Sequence, residues 1–247
     1  MKFNIYSAIV IAMLIFLMCK IVKEKMLITY CKEKSTIDDN IYNVQCQYKD
    51  KKRAANMLYK LNNKANRLID YLYSKYGSDK SDRGSLSRNL QKRYKGRHRL
   101  VETDPDNKEG DTSFVFDKGD LMSLCIRCSK DKTKTCFHQE NDLMFVTIHE
   151  LAHVAANVDQ HPYRFWRIFK WLLKEAIETK DIYYKQDYDT NPVIYCDTLE
   201  INYQPLNDGN LRDISATEYY TPIPEEDNEP GQNNSSGGIF DLSWLTG

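Results

Sequence analysis

The chain has 247 residues, of which 41% are hydrophobic and 28% charged, so it is long enough for one sizeable domain with appendages or for two small domains. Lys and Arg balance Asp and Glu at 35 each, and this zero net charge excludes a bulk electrostatic attraction to nucleic acid or anionic membranes. Seven cysteines are an odd number without regular spacing, which argues against a dense disulfide framework but leaves one or two bridges possible.

The apolar segment at the start of the chain predicts a transmembrane anchor over residues 5–22. Residues 5–19 are almost entirely apolar and two further apolar residues follow Lys20, giving roughly 17 residues, the short end of what spans a bilayer as a helix. A cleaved signal peptide is the alternative, although no small-residue cleavage site follows the segment. Lys23 and Lys25 add positive charge after the span, so the positive-inside rule favours a cytosolic domain on a single-pass membrane protein.

The composition divides the rest of the chain into three parts. Residues 23–48 are polar and irregular, which predicts a tether between the anchor (1–22) and a folded domain over residues 49–206. Residues 207–247 are predicted to form an acidic, disordered tail. From Thr221 onward the chain is rich in Pro, Glu, Asn, Ser and Gly and has no basic residue.

Hydrophobic periodicity predicts a helix followed by a β-hairpin at the start of the domain. Apolar residues recur at three- and four-residue spacing from Met57 to Leu72, and Gly77 is placed to end the helix. Two stretches with strand character, residues 113–116 and 121–126, flank a turn over residues 117–120 that has a glycine where a positive φ is needed. We expect these two strands to pair.

The next part of the chain predicts two helices joined by a short loop. Asn141 is a good N-cap for a helix that continues to about Ala156. Pro162 is well placed at or near the first turn of a second helix, which has a broad apolar face rich in aromatic residues. Residues 181–206 are irregular, with one predicted strand near residues 198–203.

The string His149-Glu150-Leu151-Ala152-His153 on the first of these helices predicts a metal site. Residues four apart share one face of a helix, so the two histidines can offer imidazole nitrogens to one ion at about 2.0–2.1 Å. Glu150 is one step round the helix, where it can reach a zinc-bound water and take its proton. A chance match in a chain of this length is on the order of one per cent. The spacing therefore indicates a zinc peptidase with Glu150 as the catalytic base.

A catalytic zinc ion normally takes three protein ligands and leaves one position for water. His161 is the favoured third ligand, since it lies eight residues beyond His153 after a loop that lets the chain turn back. The alternatives are a carboxylate of the second helix, Glu175 or Glu178, at the longer spacing that some zinc peptidases use.

Cys125, Cys128, Cys136 and His138 have the residue types of a second, structural zinc site. Cys125 and Cys128 would lie on opposite faces of a regular strand, which disfavours chelation. A disulfide between Cys128 and Cys136, or free thiols, are the other readings.

A basic run from Lys80 to Arg99 has eight basic residues and one acidic residue. It is able to contact phosphates of nucleic acid or lipid, but it contains only Tyr94 as a stacking aromatic. We interpret it as a solvated basic face and do not favour a nucleic-acid partner.

The segment 141–173 resembles the WLM group of SprT-like metallopeptidases. The resemblance rests on the HELAH string, a later histidine and the aromatic-rich helix. The preceding hairpin and the later sequence Asn191-Pro192-Val193-Ile194-Tyr195-Cys196 are similar to the version of this domain found in large DNA viruses. The similarity covers residues 113–206, about two-fifths of the chain.

This resemblance implies a zincin-like α+β fold, in which a small antiparallel sheet packs on the active-site helix. It implies one catalytic Zn²⁺ held by His149, His153 and His161, with Glu150 activating the water. The sequence departs from the family pattern in the longer spacing before His161, in lacking a recognisable ubiquitin- or SUMO-binding segment, and in its predicted membrane anchor.

In folds of this kind the strand before the active-site helix pairs with an extended peptide. The resemblance therefore assigns substrate binding to Leu124 and Ile126, with an ordinary interior strand as the alternative. Tyr195 is a candidate for steadying the oxyanion through its hydroxyl, or else a packing residue.

Taken together, the sequence predicts a membrane-anchored zinc peptidase that acts on protein or peptide substrates. One alternative is a non-catalytic membrane or virion component that zinc stabilises. Another is a DNA-associated protease acting on protein–DNA complexes.

Overall fold

The computed structural model describes residues 11–18, 30–106 and 112–215, and over these residues the protein has the predicted mixed α+β architecture. The strands are β1 (Tyr30–Lys34), β2 (Ile41–Gln45), β3 (Leu100–Glu102), β4 (Phe114–Phe116), β5 (Leu121–Leu124), β6 (Val193–Tyr195) and β7 (Leu199–Ile201). The helices are α1 (residues 11–18), α2 (Lys51–Tyr76), α3 (Asp82–Arg93), α4 (Gly96–Arg99), α5 (Glu140–Ala156) and α6 (Tyr163–Glu178).

The larger sheet has the strand order β1-β2-β3-β5-β4, and β6 pairs with β7 in a separate two-stranded sheet. The pairs β1–β2 and β4–β5 are antiparallel, whereas β2–β3 and β3–β5 are parallel. The sheet is therefore mixed, and the prediction of an antiparallel sheet is wrong. A helical crossover through α2 brings the chain back into the sheet in the same direction as it left, which produces parallel pairing.

The tether predicted over residues 23–48 is wrong for the part that the structure describes. Tyr30–Lys34 and Ile41–Gln45 pair along their whole length, and α2 packs against both strands. Only Tyr42 and Val44 supply buried apolar side chains from this hairpin. Strand β1 lies at the edge of the sheet and has no fully buried apolar side chain, so its composition resembles that of a polar loop.

Helix α2 forms the predicted helix and extends it at both ends, to 26 residues. Its apolar positions lie on one face and are buried against the sheet, α3 and α5. Gly77 follows the last residue, and its N–H donates to the carbonyl of Tyr73 at 2.8 Å. Gly77 keeps a right-handed conformation with φ −60°, so the helix ends without a left-handed glycine.

The predicted hairpin over residues 113–126 is confirmed as the antiparallel pair β4–β5. Gly119 has φ +119° and its carbonyl accepts a hydrogen bond from Lys95 N–H at 2.9 Å. A Cβ at Gly119 would lie 2.8 Å from the carbonyl oxygen of Arg93. The glycine therefore meets both a backbone requirement and a close contact with the end of α3.

Helices α5 and α6 occur where the sequence predicts them, but the proposed cap of α5 is wrong. The helix begins at Glu140 after Gln139, and no side chain caps it. The side chain of Asn141 instead bonds the backbone of Tyr184, accepting from its N–H and donating to its carbonyl, each at 2.8 Å. Asn141 therefore fastens α5 to the chain that follows α6.

The last part of the described chain departs from the prediction in two ways. Strand β7 lies within the predicted strand at 198–203, but its partner β6 was not predicted. The tail predicted to start at residue 207 contributes Leu211 and Ile214 to the hydrophobic core, each 2% exposed. Residues 216–247, which include the rest of the predicted tail, lie outside the described part.

Six of the seven cysteines form three disulfides: Cys31–Cys46, Cys125–Cys196 and Cys128–Cys136. The chain has more disulfides than the one or two that the sequence left possible, because irregular spacing along the chain does not reveal which cysteines are close in space. Of the readings for Cys128 and Cys136, the disulfide is the one observed.

The predicted anchor over residues 5–22 falls largely outside the described residues. Its described part, α1, is helical with exposed side chains. Among the helices that the structure describes, none is long and apolar enough to cross a bilayer.

Candidate metal centre

Three histidine side chains converge at one point between α5 and α6. His161 Nε2 lies 3.0 Å from His149 Nε2 and 3.1 Å from His153 Nε2. Two nitrogens bound tetrahedrally to one zinc ion would be roughly 3.3 Å apart, given Zn–N bonds of about 2.0–2.1 Å. The observed spacing fits a shared cation, and these three residues can hold a metal ion.

The local backbone explains how His161 reaches the other two. His149 and His153 are one turn apart on α5, as predicted. Helix α5 ends at Asn157, which is left-handed with φ 60° and reverses the chain. His153 Nδ1 lies 3.0 Å from the carbonyl oxygen of Val158 in the loop that follows. That contact suits an Nδ1–H donor and leaves Nε2 with its lone pair toward the cluster.

The site keeps its imidazoles neutral. Burial, with the positive charges that His161 and His153 would carry, lowers the pKa of His149 well below its ordinary value. Burial lowers the pKa of His153 to about 4, against smaller raising effects from Val158 and Asp159. Burial and then His153 lower the pKa of His161 to about 3. Neutral imidazole is the metal-binding form, so the ligands are available at all ordinary pH values.

An aromatic wall from α6 backs the three histidines. The ring centroid of Phe165 lies 4.4–4.8 Å from the centroids of all three. Phe169 lies 5.1 Å from His149, and Trp166 lies 5.7 Å from His161. These rings restrict the imidazole orientations and exclude water from the protein side of the site. The aromatic-rich pattern of the second predicted helix is thus part of the site.

Glu150 lies on the same helix as His149 and is almost fully buried, with 3% of its surface exposed. Its carboxylate is one of the charges that raise the pKa of Tyr195, after the larger effect of burial. The base predicted from the sequence is therefore buried, and it follows His149 directly on α5.

The alternative third ligands are engaged elsewhere. Glu175 accepts hydrogen bonds from the Tyr76 hydroxyl at 2.5 Å and from Trp171 Nε1 at 3.1 Å. It also pairs with Lys75 at 2.9 Å, as does Glu178 at 3.0 Å. Both carboxylates thus serve the contact between α2 and α6, and the structure brings His161 to the cluster instead.

The strand order contradicts the prediction that the strand carrying Leu124 and Ile126 pairs with a peptide substrate. Strand β5 lies between β3 and β4, so neither of its edges is free to pair with a peptide. Leu124 and Ile126 are fully buried, and the Leu124 carbonyl already accepts from Thr103 N–H at 2.9 Å. These residues form core, which was the alternative reading of the strand.

Tyr195 is fully buried at the end of β6, and its hydroxyl lies 2.7 Å from Ser113 Oγ. Ser113 also accepts a hydrogen bond from Cys125 N–H at 3.0 Å. Ser113 was not identified from the sequence, since a serine before a strand carries no signal of this contact.

A second zinc site is not formed by the cysteines and His138. All three cysteines of that set are in disulfides, and His138 Nε2 accepts a hydrogen bond from Cys196 N–H at 3.0 Å. Burial lowers the pKa of His138 to about 4, so this acceptor stays neutral.

The basic run is partly occupied by internal contacts. Arg83 donates to the carbonyl of Ile214, and Arg88 donates to the carbonyls of Gly77 and Asp79. Arg99 pairs with Asp120. These side chains fasten helix and strand ends, in line with a solvated basic face.

No family model matches the chain, and no solved structure matches it. Uncharacterized protein R325 of Acanthamoeba polyphaga mimivirus is 35% identical over 196 residues, covering 78% of this chain and 91% of that protein. Uncharacterized protein 136R of Invertebrate iridescent virus 6 is 39% identical over 69 residues, covering 28% of this chain and 38% of that protein. This chain therefore belongs to the same protein family as mimivirus protein R325.

Proposed function

We propose that this protein is a zinc-dependent peptidase in which His149, His153 and His161 bind the metal and Glu150 is the catalytic base. The observation that carries the proposal is the convergence of the three Nε2 atoms. Glu150 supports it, because it follows His149 directly on α5 and is buried. Nitrogen donors of neutral imidazole suit zinc among the common biological cations. When bound, zinc lowers the pKa of a coordinated water toward neutrality.

The number of ligands favours a catalytic role over a structural one. Structural zinc sites in proteins are usually closed by four protein ligands, and catalytic sites have three. Among the described residues, the metal-ligating group contains only the three histidines. A fourth position would then be open to water, with Glu150 placed to accept its proton as a peptide carbonyl is attacked.

The WLM and SprT-like resemblance and the zincin-like fold belong to this proposal. The HELAH helix, the later histidine and the aromatic helix α6 support them, and the two relatives from viruses agree with the viral version of that resemblance. A membrane anchor through residues 5–22 also remains part of the proposal and rests on the apolar composition of that segment.

The test compares the wild-type chain with Glu150→Gln. Both proteins are loaded with zinc, their metal content is measured, and hydrolysis of a fluorescently labelled unstructured protein is followed. We expect one zinc per chain in both and a loss of hydrolysis of about 10²–10⁴-fold in the variant, because the base is removed while the ligands remain.

Glu140→Gln is the matched control. Glu140 lies in the first turn of the same helix, where it pairs with Lys60 and Lys64 away from the histidines. We expect hydrolysis by this variant to match the wild type. Equal hydrolysis by wild type and Glu150→Gln would end the catalytic assignment.

Burial of the site favours a second candidate, a non-catalytic component of a membrane or virion that zinc stabilises. His149 and Glu150 are only 1% and 3% exposed, which is typical of a closed structural site. This candidate predicts that zinc raises the unfolding temperature while neither wild type nor Glu150→Gln hydrolyses any protein. Metal-dependent hydrolysis would remove it.

A further inference from the structure

The Cys125–Cys196 disulfide encloses the whole metal-bearing part of the chain. Cys125 directly follows β5, Cys196 directly follows β6, and 71 positions separate them. The enclosed residues include Glu150 and the three histidines. The other two disulfides span 15 and 8 positions and enclose none of these groups.

The backbone amides of both cysteines are held by side chains that also contact Tyr195. Cys125 N–H donates to Ser113 Oγ at 3.0 Å, and that oxygen lies 2.7 Å from the Tyr195 hydroxyl. Cys196 N–H donates to His138 Nε2 at 3.0 Å, and the His138 ring centroid lies 4.9 Å from that of Tyr195. The disulfide therefore joins two halves of one polar cluster around a single phenol.

This cluster lies against the metal-bearing helix. Helix α5 packs on β4 and β5, the strands that flank Ser113 and Cys125 in the chain. The charge of Glu150 contributes to the raised pKa of Tyr195, after burial and against the lowering effect of the Ser113 hydrogen bond. The geometric link between the cluster and the site is the packing of α5, which includes Glu150, on β4 and β5.

We propose that formation of the Cys125–Cys196 disulfide completes the catalytic site, so that hydrolysis depends on prior oxidation of the chain. The two thiols give up two protons and two electrons to a disulfide oxidant such as oxidised glutathione, which is released as two reduced thiols. The inference rests on the proposed peptidase function.

Burial makes the oxidised state durable. Cys125 and Cys196 are 0% and 2% exposed, so an attacking thiolate cannot reach their sulfurs without local opening. A newly made chain is therefore inactive in a reducing compartment and remains active after it has been oxidised. Three disulfides are themselves typical of proteins that fold in an oxidising setting.

The test uses the full zinc-loaded chain and two double variants. Cys125→Ser/Cys196→Ser removes the enclosing disulfide, and Cys31→Ser/Cys46→Ser removes the disulfide of the β1–β2 hairpin as a matched control. Zinc content, far-ultraviolet circular dichroism and hydrolysis are measured for each. We expect the first variant to keep its zinc and helix content but to lose about a hundredfold in hydrolysis, since small displacements at an active site have effects of this size. The control should hydrolyse as the wild type does.

Unchanged hydrolysis in Cys125→Ser/Cys196→Ser would overturn the inference. An unfolded variant would overturn it too, because the disulfide would then hold the domain rather than the site. If the wild type hydrolyses nothing, the proposed function fails, and the inference is judged on acetohydroxamate binding to the zinc-loaded proteins. A drop in acetohydroxamate affinity of about tenfold in the variant supports a site completed by the disulfide, and equal affinity contradicts it.

Discussion

Two buried clusters of ionisable groups in this protein differ in how they avoid an unbalanced buried charge. In the first, Arg127 is fully buried and pairs with Glu102 and with Asp50, the latter at 2.6 Å. Its guanidinium also lies 3.9 Å from the ring centroid of Tyr48 and 4.8 Å from that of Phe137. The chain itself supplies both the cation and its counter-charges there.

The second cluster, the candidate metal centre, gathers three histidines whose pKa values are lowered by burial, and His161 Nε2 lies within 3.1 Å of the other two Nε2 atoms. In the first cluster Arg127 supplies the positive charge for two carboxylates, although Arg127 Nη2 and Asp50 Oδ2 are buried without a hydrogen-bond partner. The second cluster offers three nitrogen donors that could hold a cation. The two should therefore respond differently to mutation, pH and metal.

The largest effect is expected for removal of the third ligand. His161→Ala should weaken zinc binding on the order of 10³-fold or more, because one of three metal bonds is lost. Glu175→Gln is the control, since that carboxylate bonds Lys75, Tyr76 and Trp171 instead. Competition with a zinc-binding dye measures both affinities. Loss of zinc in Glu175→Gln with retention in His161→Ala would reverse the assignment.

Arg127→Met should destabilise the folded protein by about 3–5 kcal/mol, because Glu102 and Asp50 lose their buried counter-charge. Urea unfolding measures this change. The companion variant Arg127→Met/Glu102→Leu should recover part of the loss, since it removes one of the orphaned carboxylates. A loss below about 1 kcal/mol in the single variant would show that the ion pairs of Arg127 contribute little to the stability of the folded protein.

The two clusters should give opposite pH dependence to the stability of the metal-free protein. His153 and His161 have pKa values of about 4 and about 3 against an ordinary 6.5, so the unfolded chain binds more protons below pH 6.5. Stability from these groups is present above pH 6.5 and is lost as pH falls toward 4. Each unit of pKa difference corresponds to about 1.4 kcal/mol.

Glu102 changes the stability of the folded protein with pH in the opposite direction. Burial raises its pKa to about 6 from 4.5, although Arg127 lowers it, so the folded state binds more protons between those values. Its contribution is present below pH 4.5 and is lost as pH rises to about 6. Urea unfolding from pH 4 to 8 should show a smaller acid loss in His153→Asn/His161→Asn and a larger one in Glu102→Gln. Identical dependence of the unfolding free energy on pH in the wild type and both variants would contradict these opposite effects of the two clusters.

The smallest effect concerns the turn that brings His161 to the metal. Asn157 is left-handed, so Asn157→Ala should cost about 1 kcal/mol in unfolding free energy. Asn157→Gly should be close to neutral, because glycine accepts a positive φ. Both variants should keep their zinc. Equal stability of the two would mean that backbone conformation at this position does not matter.

The parts of this structure that follow from local patterns were predictable from the sequence. The helical period placed His149, Glu150 and His153 on about one turn, and the loop before Pro162 made His161 the best candidate to join the two histidines. The hairpin at residues 113–126 followed from its turn glycine. Each of these features depends on residues within about a dozen positions of one another.

Features that depend on distant pairing, or on strands with few buried apolar side chains, were not predictable. The β1–β2 hairpin has few buried side chains, and the parallel pairing of β3 with β5 has no local signature. Nothing near Cys125 in the chain indicates Cys196 as its partner, or Arg127 as the centre of a buried ion network. The position of β5 between two other strands, which contradicts its predicted pairing with a peptide, also depends on the pairing of β5 with the distant strand β3.

The contacts of Lys170 on α6 show that the folded domain extends beyond residue 206, where the composition of the sequence suggests that it ends. The Lys170 side chain is 7% exposed, and its ammonium donates to the backbone carbonyls of Asp208 and Leu211 at 2.7 and 2.8 Å. A protein shortened to residue 206 would lose both of these carbonyl acceptors and the buried side chains of Leu211 and Ile214. Deletion studies on this family should therefore retain the chain at least through Ser215 if they are to leave the helix beside the metal intact.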